Sequence, residues 1–375
     1  MLMRRSIGAK GDWIHRRSAA WLYFAAGVLC MCSWLSPAAC AQEKAFAVGG
    51  VTAAPGTRGS GYINVAAGPD DGAAGPVKIP VTVVHGSKPG PVLGLVAGTH
   101  GYEYAPIVAM QEFVKEIEAA ELSGTIIIVH VANPPSFLRR TIYYSPVDGK
   151  NLNRVYPGRA DGTQSERIAY AITKEVIEKS DYLVDLHCGD GNEALRPYSY
   201  WMTSGTPEVN EKSKQMALAF GLDHIVIDTE RSPDAAKSVY TSNTAITRGK
   251  PSITTETGGM GRVDDEGPEL AEEGVWNLLR HFKMVAGEPR RVQNPVWIEK
   301  NEVLRAPATG TFHSKVRPGH TVAKGTVLGE LTDFFGNLIQ EIRAPFAGEV
   351  LYVVQTPPVS QGEPVAMIGS VRKEP

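Results

Sequence analysis

Between residues 91 and 285 the chain alternates short, continuously apolar runs with longer amphipathic ones, and this alternation limits its possible folds more than any other feature. The apolar runs "PVLGLVAG", "GTIIIVHVAN", "DYLVDLHC", "HIVIDT" and "PSITTET" suit strands. The runs "APIVAMQEFVKEIEAAE", "SERIAYAITKEVIEKS", "EVNEKSKQMALAFG" and "GPELAEEGVWNLLRHFKMV" suit helices. A strand with one wet face shows period two, whereas a strand apolar throughout is covered on both faces, which requires helices on both sides of a sheet. The sequence therefore predicts an α/β fold, a mixed, mostly parallel sheet flanked by helices. Reactive groups in such sheets collect at the carboxyl ends of the strands.

The flanking segments have a different texture. The first 41 residues place a basic stretch before an apolar run that ends in Ala39-Cys40-Ala41, the order of a secretory signal cut before Gln42. An anchor that stays attached is the alternative, and Arg4-Arg5 and Arg16-Arg17 leave a twin-arginine export route open. The expected location is periplasmic or secreted. The leader holds five Lys/Arg and one Asp, so the mature chain keeps 33 basic and 39 acidic groups. It also keeps a single cysteine, Cys188, which excludes an internal disulfide framework and a closed thiolate metal site. An acidic balance gives no footing for nucleic acid, and with the leader cut no membrane contact is expected.

Residues 42–90 carry short alternating stretches such as "VKIPVTVVHG", which suit antiparallel strands. A large domain over 42–290 is followed by the linker-like "GEPRRVQNP" and by an internal repeat that begins at Ala306 and again at Ala344. This tail, 296–370, resembles biotinyl/lipoyl carrier domains, a family of small pseudo-symmetric β-barrels. A carrier needs a lysine on the hairpin between its halves, and "LTDFFGNLIQEIRAP" has none. The expectation is the fold without the cofactor, serving as a lid, a spacer or an oligomer contact.

Four ionisable residues fall at strand ends: His100 and Glu103 in "GTHGYE", His187 in "DLHCGD" and Glu256 in "TETGG". Isolated, each would lose solvation without compensation. Zinc supplies a reason, since two histidines and a glutamate with a fourth position open form a catalytic donor set that activates water. Glu256 is then the carboxylate left over to take the water's proton. Asn153 and Arg154, in the Gly/Pro-rich "SPVDGKNLNRVYPG", offer an amide and a guanidinium fork suited to a carboxylate. Cys188 adjoins His187, but consecutive strand residues face opposite ways, so the pair is not read as a Cys-His dyad. His130 is read as a core histidine or one supporting the ligands from behind, His313 and His320 lie in the tail, and Asp185 and Asp190 are candidates either to orient a ligand imidazole or for an ordinary surface hydrogen bond.

The motifs "GTHGYE", "NLNR", "DLHCGD" and "TETGG", in this order over roughly residues 80–285, resemble the succinylglutamate desuccinylase/aspartoacylase family, relatives of the zinc carboxypeptidases. The resemblance implies that His100, Glu103 and His187 bind one Zn2+, that Glu256 is the general base and acid, and that Asn153 and Arg154 hold a substrate carboxylate. The family carries a further arginine upstream, for the developing oxyanion. Here Tyr143 and Tyr144 stand nearest that place, and Arg140 is the candidate chosen. Tyr102, between the metal ligands, departs from the asparagine common in relatives.

The reading is an exported zinc hydrolase that cleaves an amide, or an ester, in a small carboxylate-bearing molecule such as an N-acyl amino acid. Its rivals are a carboxypeptidase-like enzyme acting on peptides or cell-wall fragments, and a binding protein that has lost turnover.

Overall fold

The structure, a computed structural model, describes residues 44–263 and 266–372; the expected leader and its cut before Gln42 lie outside the described residues. The middle of one large sheet is formed by Ser123–Val129, Lys88–Ala97, Tyr182–His187 and Ser252–Glu256, adjacent in that order and mutually parallel. Tyr198–Met202 joins antiparallel beyond Ser252–Glu256, and His224–Asp228 lies parallel to it. On the other side Val77–His85 and Thr57–Val65 add antiparallel strands, in the region where the sequence shows short alternating stretches.

Alternate residues of a strand go to opposite faces, and both faces here are apolar. Leu93, Leu95, Ile126, Ile128, Val184, Leu186 and Ile253 pack with the helices Tyr104–Glu116, Pro207–Phe220 and Gly267–His281. Val96, Ile127, Val129 and Leu183 pack with Ile168, Ala169 and Ile172 of the helix Gln164–Ile172 on the opposite face. The helix limits follow local chemistry. Pro207–Phe220 starts at Thr206, whose hydroxyl accepts from Val209 N, has proline in its first turn, and stops at Gly221 in the left-handed region.

The segment after residue 295 does not lead away from this body. Val296–Arg305 pairs parallel with His224–Asp228 and antiparallel with Pro364–Arg372, so Pro364–Arg372, Gly348–Val354 and Thr321–Val322 extend the same sheet. Gly310–Ser314, Val327–Thr332, Leu338–Arg343 and Pro358–Val359 make a small antiparallel sheet of their own. A continuous core of Phe312, Leu328, Leu331, Val350, Val353 and Ile368 joins the two sets.

The helix Tyr104–Glu116 begins directly after Glu103, so its anchorage sets where that carboxylate sits. Ile107, Met110 and Phe113 are buried at helical spacing, and the Phe113 ring lies 5.0 Å from that of Trp276, inclined at 64°. Phe113→Ala is expected to lower stability by about 3–5 kcal/mol through the cavity it leaves, measured by denaturant unfolding; a loss under about 1 kcal/mol would mean that this helix is held elsewhere.

Candidate metal centre and cleft

The strand Lys88–Ala97 ends at Gly98, with φ of 71°, where a Cβ would lie 2.9 Å from Val131 Cα. The turn that only glycine allows there delivers His100. Glu103 occupies the cap position of the helix Tyr104–Glu116, yet makes no cap hydrogen bond; its carboxylate turns to the imidazoles instead. On Tyr182–His187, residues 183, 185 and 187 share a face, so a buried Leu183 is followed by Asp185 and His187 side by side. In the next strand Glu256 is the register partner of His187, and Thr254 that of Asp185.

His100, Glu103 and His187 are all buried, and one donor atom from each lies within 4.8 Å of the other two. His100 Nδ1 is 2.5 Å from Glu103 Oε1, and His187 Nδ1 is 2.8 Å from Glu103 Oε2. The second contact lacks hydrogen-bond alignment, leaving Glu103 Oε2 a buried oxygen without a donor. Burial opposes charge on Glu103, yet the two imidazoles hold its carboxyl down at about 2. Two nitrogens and a carboxylate brought this close, with one oxygen unsatisfied, fit a single divalent metal ion better than they fit each other.

The outward nitrogens of both imidazoles are also held. His100 Nε2 is 3.0 Å from Asn151 Oδ1, and His187 Nε2 is 3.0 Å from Asp185 Oδ1 and 3.1 Å from Asn153 Nδ2. Asn153 is fully engaged, since Nδ2 also donates to Asp185 Oδ2 and Oδ1 accepts from Thr241 N and Oγ1. The structure thus ties Asn153 to His187, Asp185 and Thr241, and Asn153 also lines the cleft in which the sequence reading expects the substrate carboxylate. Asp190 does not reach His187; its carboxylate accepts from Tyr143 N and Gly191 N.

His100, Glu103, His187, Asn151 and Asn153 line a cleft of about 720 Å³ that also takes in Glu256, Arg154, Tyr143, Glu193, Tyr240 and Arg231, and from the C-terminal strands Arg305, Tyr352 and Met367. That volume suits a small ligand. Burial pushes the Glu256 carboxyl well above the usual range; His187 opposes this while Glu103 and Glu193 add to it. A carboxyl that holds its proton readily beside the metal ligands is equipped for proton transfer. The Arg154 guanidinium lies 4.4 Å over the Tyr240 ring and donates to Asn153 O, with no carboxylate in ion-pair range among the described residues. Burial and the nearby Arg231 and Arg305 disfavour its charge, and a bound anion would relieve that repulsion. Arg231 also stacks on Tyr240, at 3.6 Å, but is paired with Asp228 at 2.6 Å.

Arg140 is not among the residues lining the cleft. It is exposed, at the end of the helix Pro134–Arg139, with φ of 52° in the left-handed region. The position nearest the metal ligands is taken by Tyr143, whose ring meets His100 edge-on at 6.2 Å. Cys188 is buried with its thiol pushed up by burial, and its Sγ contacts Gly189 O. His130 bonds Thr82 away from the triad. Asn151, Tyr143, Glu193, Arg231 and Tyr240 carried no assigned role in the sequence reading, although Asn151 opens "NLNR" and Tyr143 marks the departure from the family pattern.

A family model described as the succinylglutamate desuccinylase/aspartoacylase catalytic domain matches residues 89–282. The N-alpha-acetyl-L-2,4-diaminobutyric acid deacetylase of Halomonas elongata is 32% identical over 321 residues, covering 83% of this chain and 91% of that protein. Two solved structures are similar over most of the chain. The product-bound ectoine utilization protein EutE (DoeB) of Ruegeria pomeroyi is 29% identical with a TM-score of 0.74, covering 84% of this chain and 95% of that one. A succinylglutamate desuccinylase/aspartoacylase from Rhodobacter sphaeroides is 26% identical with a TM-score of 0.73, covering 84% and 96%.

The contact of Asp185 with His187 generates a specific expectation. Asp185→Asn should weaken metal affinity about 10- to 100-fold while the protein stays folded, measured by competition with a chromophoric chelator. Unchanged affinity would show that Asp185 only fills space.

Proposed function

The chain belongs to the succinylglutamate desuccinylase/aspartoacylase family of metal-dependent deacylases, and from that premise we propose that it is a zinc enzyme removing the acyl group from a small N-acyl amino acid with a free carboxylate. The observation that carries the reading is Arg154, a guanidinium without a carboxylate partner among the described residues, in the same cleft as the His100, Glu103, His187 cluster and Glu256. The similarity to the Halomonas deacetylase supports acetyl as the acyl group and a 2,4-diamino acid as the amine.

A metal held by His100, Glu103 and His187 supplies a polarised water and Lewis acidity toward the scissile carbonyl. The protein does the rest. Arg154 engages the substrate carboxylate and fixes the amide relative to the triad. Glu256, beside His187 in register, takes the proton of the attacking water and delivers it to the departing amine nitrogen. Asn151, Asn153 and Asp185 keep both imidazoles from turning.

The test is hydrolysis of N-acetyl-2,4-diaminobutyrate within a panel of N-acyl amino acids and short peptides. Glu256→Gln is expected to keep its metal and lose about 10²- to 10⁴-fold in kcat. Arg154→Ala should act mainly on KM, raising it about 10- to 100-fold for substrates with a free carboxylate. Equal KM for carboxylate and amidated substrates in the wild type would remove Arg154 from the role, and preference for peptides would favour the carboxypeptidase-like rival.

A further inference from the structure

Glu193 lines the cleft and plays no part in the mechanism above. It lies on the short strand Glu193–Leu195, paired antiparallel with Gly348–Val354, while Met260 N donates to its carbonyl. Its backbone is therefore fixed from two sides. Oε1 accepts from Tyr143 Oη at 2.6 Å, and Oε2 accepts from Asp190 N at 3.3 Å. Tyr143 is held at both ends, because its N–H donates to Asp190 Oδ2 while it adopts φ of 57°, a conformation costly for an aromatic residue.

What Glu193 lacks is a cation. No Lys, Arg or His of the described residues lies in ion-pair range, and its charged neighbours, Asp190 and Glu103, are acidic. Two of the cleft's arginines, Arg154 and Arg231, lie against Tyr240. A divalent metal held by His100, Glu103 and His187 would be met by Glu103 and not by Glu193, whose oxygens accept from Tyr143 Oη and Asp190 N. A half-buried carboxylate is normally paired or forced neutral; burial pushes this one up to about 7. It has lone pairs to spare beyond its two donors.

We propose that Glu193, positioned by Tyr143, is the specificity residue that receives a primary ammonium on the substrate, so that the cleft selects N-acyl amino acids bearing a cationic side chain. Arg154 takes the carboxylate and Glu193 the ammonium, and a zwitterionic substrate is bound by charges of both signs. The proposal rests on the deacylase reading and adds to it the group that chooses the side chain.

The experiment compares kcat/KM for N-acetyl-2,4-diaminobutyrate and N-acetylnorvaline, in which a methyl group replaces the ammonium, for the wild type and Glu193→Gln. Calorimetric binding of the free amino acids, 2,4-diaminobutyrate and norvaline, accompanies it. The glutamine can still accept from Tyr143, so the loop is retained. The wild type should prefer the cationic substrate about 10- to 100-fold, as expected for a hydrogen bond to a charged group, and in Glu193→Gln the ratio should fall toward one. The binding preference should collapse in parallel. A ratio unchanged by the substitution, in turnover and in binding, overturns the proposal. Glutamate-dependent binding of the diamine without hydrolysis of either substrate would sustain the ammonium site and sink the deacylase reading.

Discussion

Two imidazoles converging on the Glu103 carboxylate are the constraint around which the molecule is arranged. Burying three such groups together is costly unless each finds a partner, and the Nδ1 atoms of His100 and His187 reach opposite oxygens of Glu103 at 2.5 and 2.8 Å. That geometry needs two adjacent parallel strands, Lys88–Ala97 and Tyr182–His187, to end at the same level, with a helix beginning between them. The helix start also favours a negative charge at Glu103. Moving a strand by one residue would turn His187 to the opposite face and put Cys188 in its place.

The second level of support comes from the C-terminal strands. Val296–Arg305 adds itself to the central sheet, and Gly348–Val354 pairs with the short strand that carries Glu193. As a result Arg305, Tyr352 and Met367 are cleft walls. The tail sequence resembles a carrier fold and, among a lid, a spacer and an oligomer contact, leaves its use open; the sheet pairing makes it part of the substrate cleft. Along that cleft Arg154 and Arg231 lie against Tyr240, while Glu193 and Asp190 accept from Tyr143.

The strand-end residues were legible because polar side chains stand out against continuously apolar runs, and period two then says which of them share a face. His100, Glu103, His187 and Glu256 all came from that contrast. Arg140 was a choice between neighbours in a loop, and a helix end in the left-handed conformation turns it out of the cleft. Asn153 was read as a substrate contact from its chemistry and from the family resemblance; the chain fold adds Thr241, 88 positions away, which donates to its oxygen. Glu193 was invisible for a similar reason, since its setting depends on pairing with Tyr352–Val354 far along the chain. The linker at 287–295 shows the composition of a boundary, and composition does not reveal that the next strand joins the sheet already built.

The account stands on a metal held by His100, Glu103 and His187, and metal content with reversible removal tests it most directly. The purified protein, analysed for metals and for hydrolysis before and after chelation, is predicted to hold about one zinc per chain, as three protein ligands with an open position imply. It should lose both metal and activity to the chelator and regain both with zinc. Full activity in metal-free protein would contradict the account at its centre, whatever substrate the enzyme then proved to use.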